Sequence, residues 1–372
     1  MTAQVFVVAS ASMTALGEQQ KLTTAQMLRP TMVDIQVEDH TVPYYAMKGP
    51  LLTKSFSLMA KLLTQQIEQL LTTFTLNEQQ LANTMLFLGS TSLDVGCIVP
   101  DDTRSIWLSK VDKLSQYLAD YFKLHSLHFT FNTACTASTN ALIYAANFIK
   151  AQKIDHAIVI GCEFFNQLSM NGFDSLDLIS GTSVKPFARS RDGLILGEGI
   201  GAVLLSKDAS EQTQFELLGG YSSCDDHSLT ITEESGAHIV SVINKALANS
   251  NIAKGDIDLI KVHGTASIKS DLAEKNALER LFFNIPPAIA LKSLVGHTLG
   301  ACGVIELALL EHCTKNNIMA KFAYQEDQEE ELELSFVNSV EAFMSSSIIL
   351  CNHFGFGGNN AVLLVKKVRS NL

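Results

Sequence analysis

The chain has 372 residues, of which 47% are hydrophobic and 17% charged, and its formal net charge is −11. This composition is typical of a folded globular protein, and the length allows two or three average domains or two halves sharing one core. The acidic balance argues against a broad basic face, so we expect no nucleic-acid partner. An acidic run from Glu326 to Glu333 is interpreted as a solvated loop or edge.

The cysteines are scattered singly, and no CxxC pair occurs among them. Their odd number argues against a disulfide framework and a cysteine-based zinc site, so we expect no metal and a reducing, cytoplasmic location. Neither a basic signal region nor an apolar stretch long enough to span a membrane is found. The cysteines are Cys97, Cys135, Cys162, Cys224, Cys302, Cys313 and Cys351.

In the first half of the chain, short apolar runs alternate with segments that have helical periodicity. The helical pattern is clearest where apolar residues recur one turn apart, from Phe56 to Leu71. Strands are predicted at 5–13, 84–91, 156–163 and 201–207, and helices at 54–74 and 136–151.

The second half repeats this order, which suggests an internal duplication. Strands are predicted at 215–219, 257–266 and 287–293, helices at 237–249, 271–283 and 300–312, and two closing strands around a glycine loop. Continuous apolar strands alternating with helices indicate parallel strands covered on both faces. The polar segment at 207–214 separates the halves, so we predict an N-terminal half at 1–210 and a C-terminal half at 211–372.

The first candidate for chemistry is Cys135, in the segment NTACTAST at 132–139. It precedes a predicted helix of small residues, where free backbone amides and the helix dipole lower a thiol pKa and favour thiolate. Small neighbours leave room for a substrate. Taken alone, an inert buried cysteine is an equally good interpretation.

Two histidines lie at equivalent places in the second half. His263 ends a strand in KVHGTASIKSDLAE at 261–274, and His297 follows a strand end in ALKSLVGHTLGACG at 290–303. Each alone is more often a hydrogen-bonded loop histidine than a catalyst. Together with Cys135 they indicate one shared site. Asp271 and Glu274 follow His263 about one turn apart, and Asp271 is interpreted as structural.

A glycine-rich turn, HFGFGGNN at 353–360, lies between the last two strands. Its glycines permit positive φ angles and a close approach to a ligand. No Lys-Ser/Thr pair and no helix follow it, so it is not interpreted as a phosphate-binding loop. GEGIG at 197–201 lacks the preceding strand and the full spacing of a dinucleotide fingerprint, and is rejected as one.

These motifs, in this order, resemble those of the elongating β-ketoacyl synthases. NTACTAST resembles their nucleophile motif, HGTASIKSDLAE and KSLVGHTLGACG their two histidine motifs, and HFGFGGNN their C-terminal glycine loop. KPFARSRDGLILGEGIGAVLL at 185–205 resembles a further stretch of that family. The resemblance covers residues from about 85 to 366.

The resemblance implies an α/β fold, the thiolase-like five-layer αβαβα sandwich of two duplicated halves, normally dimeric. It implies decarboxylative condensation of an acyl-carrier-protein thioester with malonyl-carrier protein, with Cys135, His263 and His297 as catalytic residues. Lys292 and Glu274 resemble a charged pair behind the histidines that sets their tautomer and orientation. A purely structural ion pair fits equally well.

The resemblance also implies roles around the cavity. Phe356 resembles a gate that admits the acyl chain, and the loop of Phe354 and Phe356 would supply oxyanion donors together with the nucleophile's own amide. Thr265 and Thr298 would bind the phosphopantetheine arm or only cap their loops. That arm is carried by the partner carrier protein, so no metal or organic cofactor is expected.

Three alternatives remain open. The chain could be a non-catalytic subunit that sets chain length in a heterodimer, an active subunit that needs a homologous chain, or a coenzyme A-dependent thiolase. The N-terminal strand lacks the family's basic pair and Thr-Gly, and the segment between residues 90 and 131 is short. These departures favour a specialised pathway, such as polyene synthesis, and leave open fatty acid or polyketide, and homodimer or heterodimer.

Overall fold

The computed structural model describes residues 3–23, 30–47, 55–93, 95, 112–228, 230, 232–319, 327 and 332–368. Cys97 and most of the acidic run at 326–333 lie outside these residues. The strands are β1 (Phe6–Thr14), β2 (Gly17–Glu18), β3 (Met32–Val37), β4 (His40–Tyr45), β5 (Met85–Gly89), β6 (Phe129–Phe131), β7 (His156–Glu163), β8 (Gly199–Ser206), β9 (Phe215–Cys224), β10 (Leu259–Lys261), β11 (Ala288–Ile289), β12 (Ile348–Phe354) and β13 (Asn359–Lys367).

The helices are α1 (Phe56–Thr73), α2 (Glu78–Ala82), α3 (Lys113–Tyr121), α4 (Ala137–Lys150), α5 (Gln167–Asp174), α6 (Ala237–Ser250), α7 (Ile268–Leu281), α8 (Lys292–Val295), α9 (Cys302–Asn316) and α10 (Val340–Ser345). Short 3₁₀ turns at Ala134–Thr136 and Leu299–Ala301 lead into α4 and α9. Within the described part of the chain, no helix is both long and apolar enough to cross a membrane.

The elements stack in five layers. Helices α1 and α3 cover the strands of the first half, α4 and α9 form the central layer, and α6 and α7 cover the strands of the second half. The strand order is β11-β10-β12-β13-β9-β1-β8-β7-β5-β6, with the halves joined by a short pairing of β1 with β9. The predicted five-layer αβαβα sandwich is confirmed.

The direction of the strands differs from the prediction. Strands β5, β6 and β7 run parallel, as do β10, β11 and β12, but β1, β8, β9 and β13 pair antiparallel. The expectation of parallel strands was wrong because an apolar run shows only that both faces of a strand are buried. Helices on both sides bury antiparallel strands equally well.

The predicted strand at 287–293 is reduced to Ala288–Ile289. The chain then turns into the short helix α8, whose first residue, Lys292, is buried. The apolar run continues beyond the strand because the following turn is buried too. The hairpin of β3 and β4 and the short helices α2, α3, α5 and α10 were not predicted.

The two central helices approach each other closely where both begin. A Cβ atom added to Gly303 on α9 would lie 2.3 Å from Thr139 Oγ1 and 2.7 Å from the Thr139 backbone N on α4. Cys135 precedes α4, and His297 precedes α9. The missing side chain at Gly303 therefore sets how closely the nucleophile of one half approaches the histidine of the other.

We predict that Gly303→Ala destabilises the protein by about 1–3 kcal/mol, because the added methyl group forces the central helices apart. Gly172→Ala is the matched control, since Gly172 lies on α5 with open space around its Cα. There, alanine's helix propensity should stabilise the fold by up to about 1 kcal/mol. Urea unfolding of both variants measures these effects, and equal stability of the two would contradict the packing argument.

Candidate active site

Cys135 and His297 meet at the centre of the molecule. The Nε2 atom of His297 lies 3.1 Å from the Sγ atom of Cys135, and both side chains are buried. Cys135 lies in the 3₁₀ turn before α4, and His297 in the loop between α8 and the turn before α9. A residue from each half of the chain thus contributes to one hydrogen-bonded pair.

The electrostatics of this pair differ from the expectation at the sequence level. Burial raises the pKa of the Cys135 thiol to about 11, although Lys292 and the backbone N–H groups of Phe356 and Cys135 lower it. Burial and the nearby Lys292 ammonium hold the pKa of His297 well below its usual value. The predicted thiolate was wrong for this pocket, because desolvation outweighs the local donors. Thiol and imidazole are both neutral at rest.

His263 is the second histidine of the site. Its ring lies 5.6 Å from that of His297 at an interplanar angle of 87°, and 5.6 Å from the Phe354 ring. Glu274 fixes the backbone here, because its carboxylate accepts hydrogen bonds from the N–H groups of His263 (2.8 Å) and Gly264 (3.0 Å). The sequence prediction that these histidines and the cysteine share one site is consistent with this geometry.

Lys292 and Glu274 do not form the predicted pair. The Nζ atom of Lys292 bonds Oε1 of Glu306 at 2.7 Å, and Glu274 instead holds the backbone of the His263 loop. They do not pair with each other because Glu306 lies on α9, directly behind the site, whereas Glu274 lies on α7. Their role in orienting the histidines stays a prediction. Although burial alone would raise it, Lys261 and Lys292 hold the pKa of Glu306 well below its usual range.

Glu306 is part of a larger buried cluster. Lys261 Nζ bonds Glu306 Oε2, the Asn352 carbonyl at 2.7 Å and His353 Nε2 at 2.9 Å. Cys302, Glu306 and His353 place potential metal ligands within 4.8 Å of one another. The lysine ammonium groups already bind both oxygens of this carboxylate, so the cluster is better described as an ion-pair network than as a cation site.

The glycine loop brings Phe356 over the cavity. Gly357 and Gly358 have φ angles of 74° and 73°, and a Cβ on Gly358 would lie 2.2 Å from the Asp225 carbonyl, so only glycine fits there. The Phe356 ring stacks on Phe173 of α5, with centroids 5.2 Å apart and planes at 16°. This contact closes one side of the cavity with two aromatic side chains.

A cavity of about 340 Å³ opens from the cysteine and the two histidines towards the surface. Its wall includes Thr265, Phe354 and Phe356, as predicted. Thr298 does not line it: its side chain is fully buried, and its Oγ1 has no hydrogen-bond partner among the described residues. A substrate contact or a loop cap at Thr298 therefore stays a prediction.

Several site residues were missed from the sequence, although two left a signal. Glu306 is a carboxylate within the apolar run at the start of α9, and Lys261 is the one ammonium group of an apolar strand; such charges need buried partners. Glu163 was also missed. Its carboxylate accepts bonds from the N–H groups of Thr91, Ser92 and Gly300, and burial raises its pKa to about 6. It ties β7 to the turn before α9.

Two protein-family models match this chain, one in each half. The model of the beta-ketoacyl synthase N-terminal domain matches residues 17–211, and that of the C-terminal domain matches residues 215–324. Together these matches cover most of the chain. The chain belongs to the β-ketoacyl synthase family.

Known relatives are distant. The chain is 28% identical to a putative mitochondrial 3-oxoacyl-[acyl-carrier-protein] synthase of Schizosaccharomyces pombe over 68% of its length and 64% of that protein. It is 27% identical to the chloroplastic 3-oxoacyl-[acyl-carrier-protein] synthase I of Arabidopsis thaliana over 67% of its length and 56% of that protein. The matches thus span less than two thirds of these relatives.

Solved structures share the fold over nearly the whole chain. A ketosynthase in complex with its chain length factor from Xenorhabdus doucetiae superposes with a TM-score of 0.82 at 22% identity, covering 98% of both chains. A beta-ketoacyl synthase from Burkholderia phymatum gives 0.80 at 21% identity, covering 99% of this chain and 100% of that one. The predicted thiolase-like fold is confirmed.

We predict that alkylation of Cys135 by iodoacetamide accelerates about tenfold per pH unit through the neutral range, because only the thiolate reacts and the thiol is protonated there. Peptide mass spectrometry separates this adduct from that of the exposed Cys224. Cys135→Ala gives the background. A rate independent of pH around neutrality would contradict the neutral pair and indicate a thiolate–imidazolium pair.

Proposed function

We propose that the protein condenses an acyl thioester with a malonyl thioester, both on carrier proteins, to give a β-ketoacyl thioester in cytoplasmic fatty-acid or polyketide synthesis. One observation carries this proposal. The Cys135 thiol lies 3.1 Å from His297 Nε2, beside His263, at the base of a cavity that reaches the surface. A nucleophile, a base and a second imidazole are what the two half-reactions need.

The first half-reaction transfers the acyl group. As Cys135 Sγ attacks the thioester carbonyl, His297 Nε2 accepts the thiol proton. The tetrahedral intermediate collapses and the carrier thiolate leaves. It is protonated as the His297 imidazolium releases its Nδ1 proton, so His297 keeps the former thiol proton on Nε2. The backbone N–H groups of Cys135 and Phe356 both lower the pKa of the Cys135 thiol. The same two groups would donate hydrogen bonds to the developing oxyanion. An acyl-Cys135 thioester remains.

The second half-reaction forms the carbon–carbon bond. Malonyl-carrier protein loses carbon dioxide, and the electron pair of the broken bond moves into an enolate. His263 and His297, as neutral Nε2–H tautomers, donate hydrogen bonds to the enolate oxygen. The enolate carbon attacks acyl-Cys135, and the cysteine leaves as thiolate and is reprotonated. Each such donor is worth roughly 3–4 kcal/mol of barrier, so losing one histidine costs about two to three orders of magnitude in rate.

In this scheme the protein itself uses no metal or organic cofactor. The phosphopantetheine arm belongs to the carrier protein and enters through the cavity. Thr265 lines that cavity and is available for a hydrogen bond to the arm. The gate is Phe356, which leaves its stack on Phe173 to admit the acyl chain.

We expect a mass increase equal to the acyl group when the purified protein is incubated with acyl-carrier proteins of different chain length. Intact-mass spectrometry measures it, and Cys135→Ala is the control that should gain nothing. The absence of an adduct at every chain length would contradict the function of a stand-alone synthase. The alternative of a non-catalytic subunit that sets chain length would then be favoured. That alternative gives no reason for Cys135, His263 and His297 to lie in one site.

We further propose that a second ketosynthase-like chain pairs along β6. This strand ends the sheet and pairs only with β5 among the described strands, and the neighbouring side chains of Leu127 and Tyr144 are about half exposed. Solved relatives include ketosynthases with a chain length factor. Light scattering of the pure chain, alone and with a homologous chain, separates homodimer from heterodimer, and a monomer in both samples would overturn the proposal.

A further inference from the structure

A continuous buried path joins the loops of the two histidines. It starts at Lys292, five residues before His297, and crosses to Glu306 at 2.7 Å. Glu306 also binds Lys261, whose Nζ reaches the Asn352 carbonyl at 2.7 Å. The Asn352 side chain donates to Glu274 at 2.9 Å, and Glu274 holds the backbone N–H of the His263 loop. Charges along the path alternate in sign.

Lys261 is the link on which this path depends. It ends β10, is fully buried, and binds three groups from two other elements, α9 and β12. Without its ammonium group, Glu306 stays paired with Lys292 and keeps its contact of 3.2 Å with His353, but it loses the bond to Lys261 that leads to the Asn352 carbonyl. Among the described residues, the hydrogen-bonded path from Lys292 to Glu274 is then broken at Lys261.

We propose that Lys261 is a positioning residue for the condensation: its buried ammonium group binds α9 to β12 and so holds the two histidine loops together. Its positive charge also acts on both imidazoles. This inference rests on the proposed function for its catalytic consequence. Its electrostatic part concerns the resting protein alone, and is measured without any substrate.

The charged and titratable groups around His263 come from every element packed against it. Burial, Lys292, His297, Lys261 and His353 all hold the pKa of His263 well below its usual value. At His297, burial and Lys292 act most, Glu306 opposes them, and His353 and Lys261 add to the lowering of its pKa. Removing the charge of Lys261 therefore raises the pKa of both histidines, so each is protonated at a higher pH than in the native protein.

Lys261→Met is the informative variant, because it keeps most of the length of the side chain and removes the ammonium group with its charge and its three hydrogen bonds. Glu306 retains its bond to Lys292 and a contact of 3.2 Å with His353, so no buried carboxylate is left unpaired and the fold should survive. Lys275→Met is the matched control. Lys275 is also buried and paired with a glutamate, Glu279 at 2.5 Å, but it lies away from the cavity.

Two measurements test the proposal. Histidine ring ¹³C NMR titrations, assigned with His263→Asn and His297→Asn, should show both pKa values raised in Lys261→Met and unchanged in Lys275→Met. Decarboxylation of malonyl-carrier protein should lose about tenfold in kcat at neutral pH, with its acid limb moved to higher pH by the same shift and KM little changed.

The outcomes separate this inference from the function. Unchanged histidine pKa values in folded Lys261→Met overturn the inference, whatever the activity. If the histidine pKa values rise but the pH dependence of decarboxylation is unchanged, the positioning role is overturned, and Lys261 has only a structural role. If the wild-type protein forms no acyl-Cys135, the proposed function and the catalytic role of Lys261 both fail, and the NMR titration still decides the electrostatic part.

Discussion

The close contact of the central helices at Gly303 and Thr139 is the constraint on which the site depends. Each half of the chain brings one part of the chemistry, since Cys135 leads into α4 and His297 comes before α9. A hydrogen bond of 3.1 Å between them requires the helices to begin side by side. Only a residue without a side chain at Gly303 leaves room for that approach.

The same close packing determines the electrostatics. In the closely packed centre of the molecule, the side chains of the cysteine and the two histidines are almost fully buried, so their charged forms become costly. A neutral thiol beside a neutral imidazole is therefore the stable resting state, and charge develops only as a thioester arrives. Glu306 can remain ionised at this depth only because Lys261 and Lys292 bind its two oxygens.

Much of this architecture could be predicted from the sequence. Apolar periodicity located α1, α4, α6, α7 and α9, and the longer strands, because burial leaves a local pattern. Strand direction was not predictable in this way, since it depends on which strands become neighbours.

The residues of the site could also be predicted only in part. Cys135, His263 and His297 stand in motifs that resemble one family, and the structure brings them together. The partner of Lys292 could not be read from the sequence, because Glu274 and Glu306 are both near it in the chain and only the packing of α9 decides between them. Thr298 looked similar to Thr265 in sequence, yet only Thr265 lines the cavity, and Thr298 is fully buried. The division of the chain at residues 210 and 211 stays a prediction.

A single-turnover condensation tests the central claim most directly. The acyl-Cys135 protein is mixed with malonyl-carrier protein that carries ¹³C in its free carboxyl group, and labelled carbon dioxide and carrier-bound product are measured together. The account predicts one labelled carbon dioxide for each β-ketoacyl product, with neither above background when His263 and His297 are both replaced by alanine. A product that keeps the label, or one formed equally well from an acetyl thioester, would contradict decarboxylative condensation and favour thiolase chemistry.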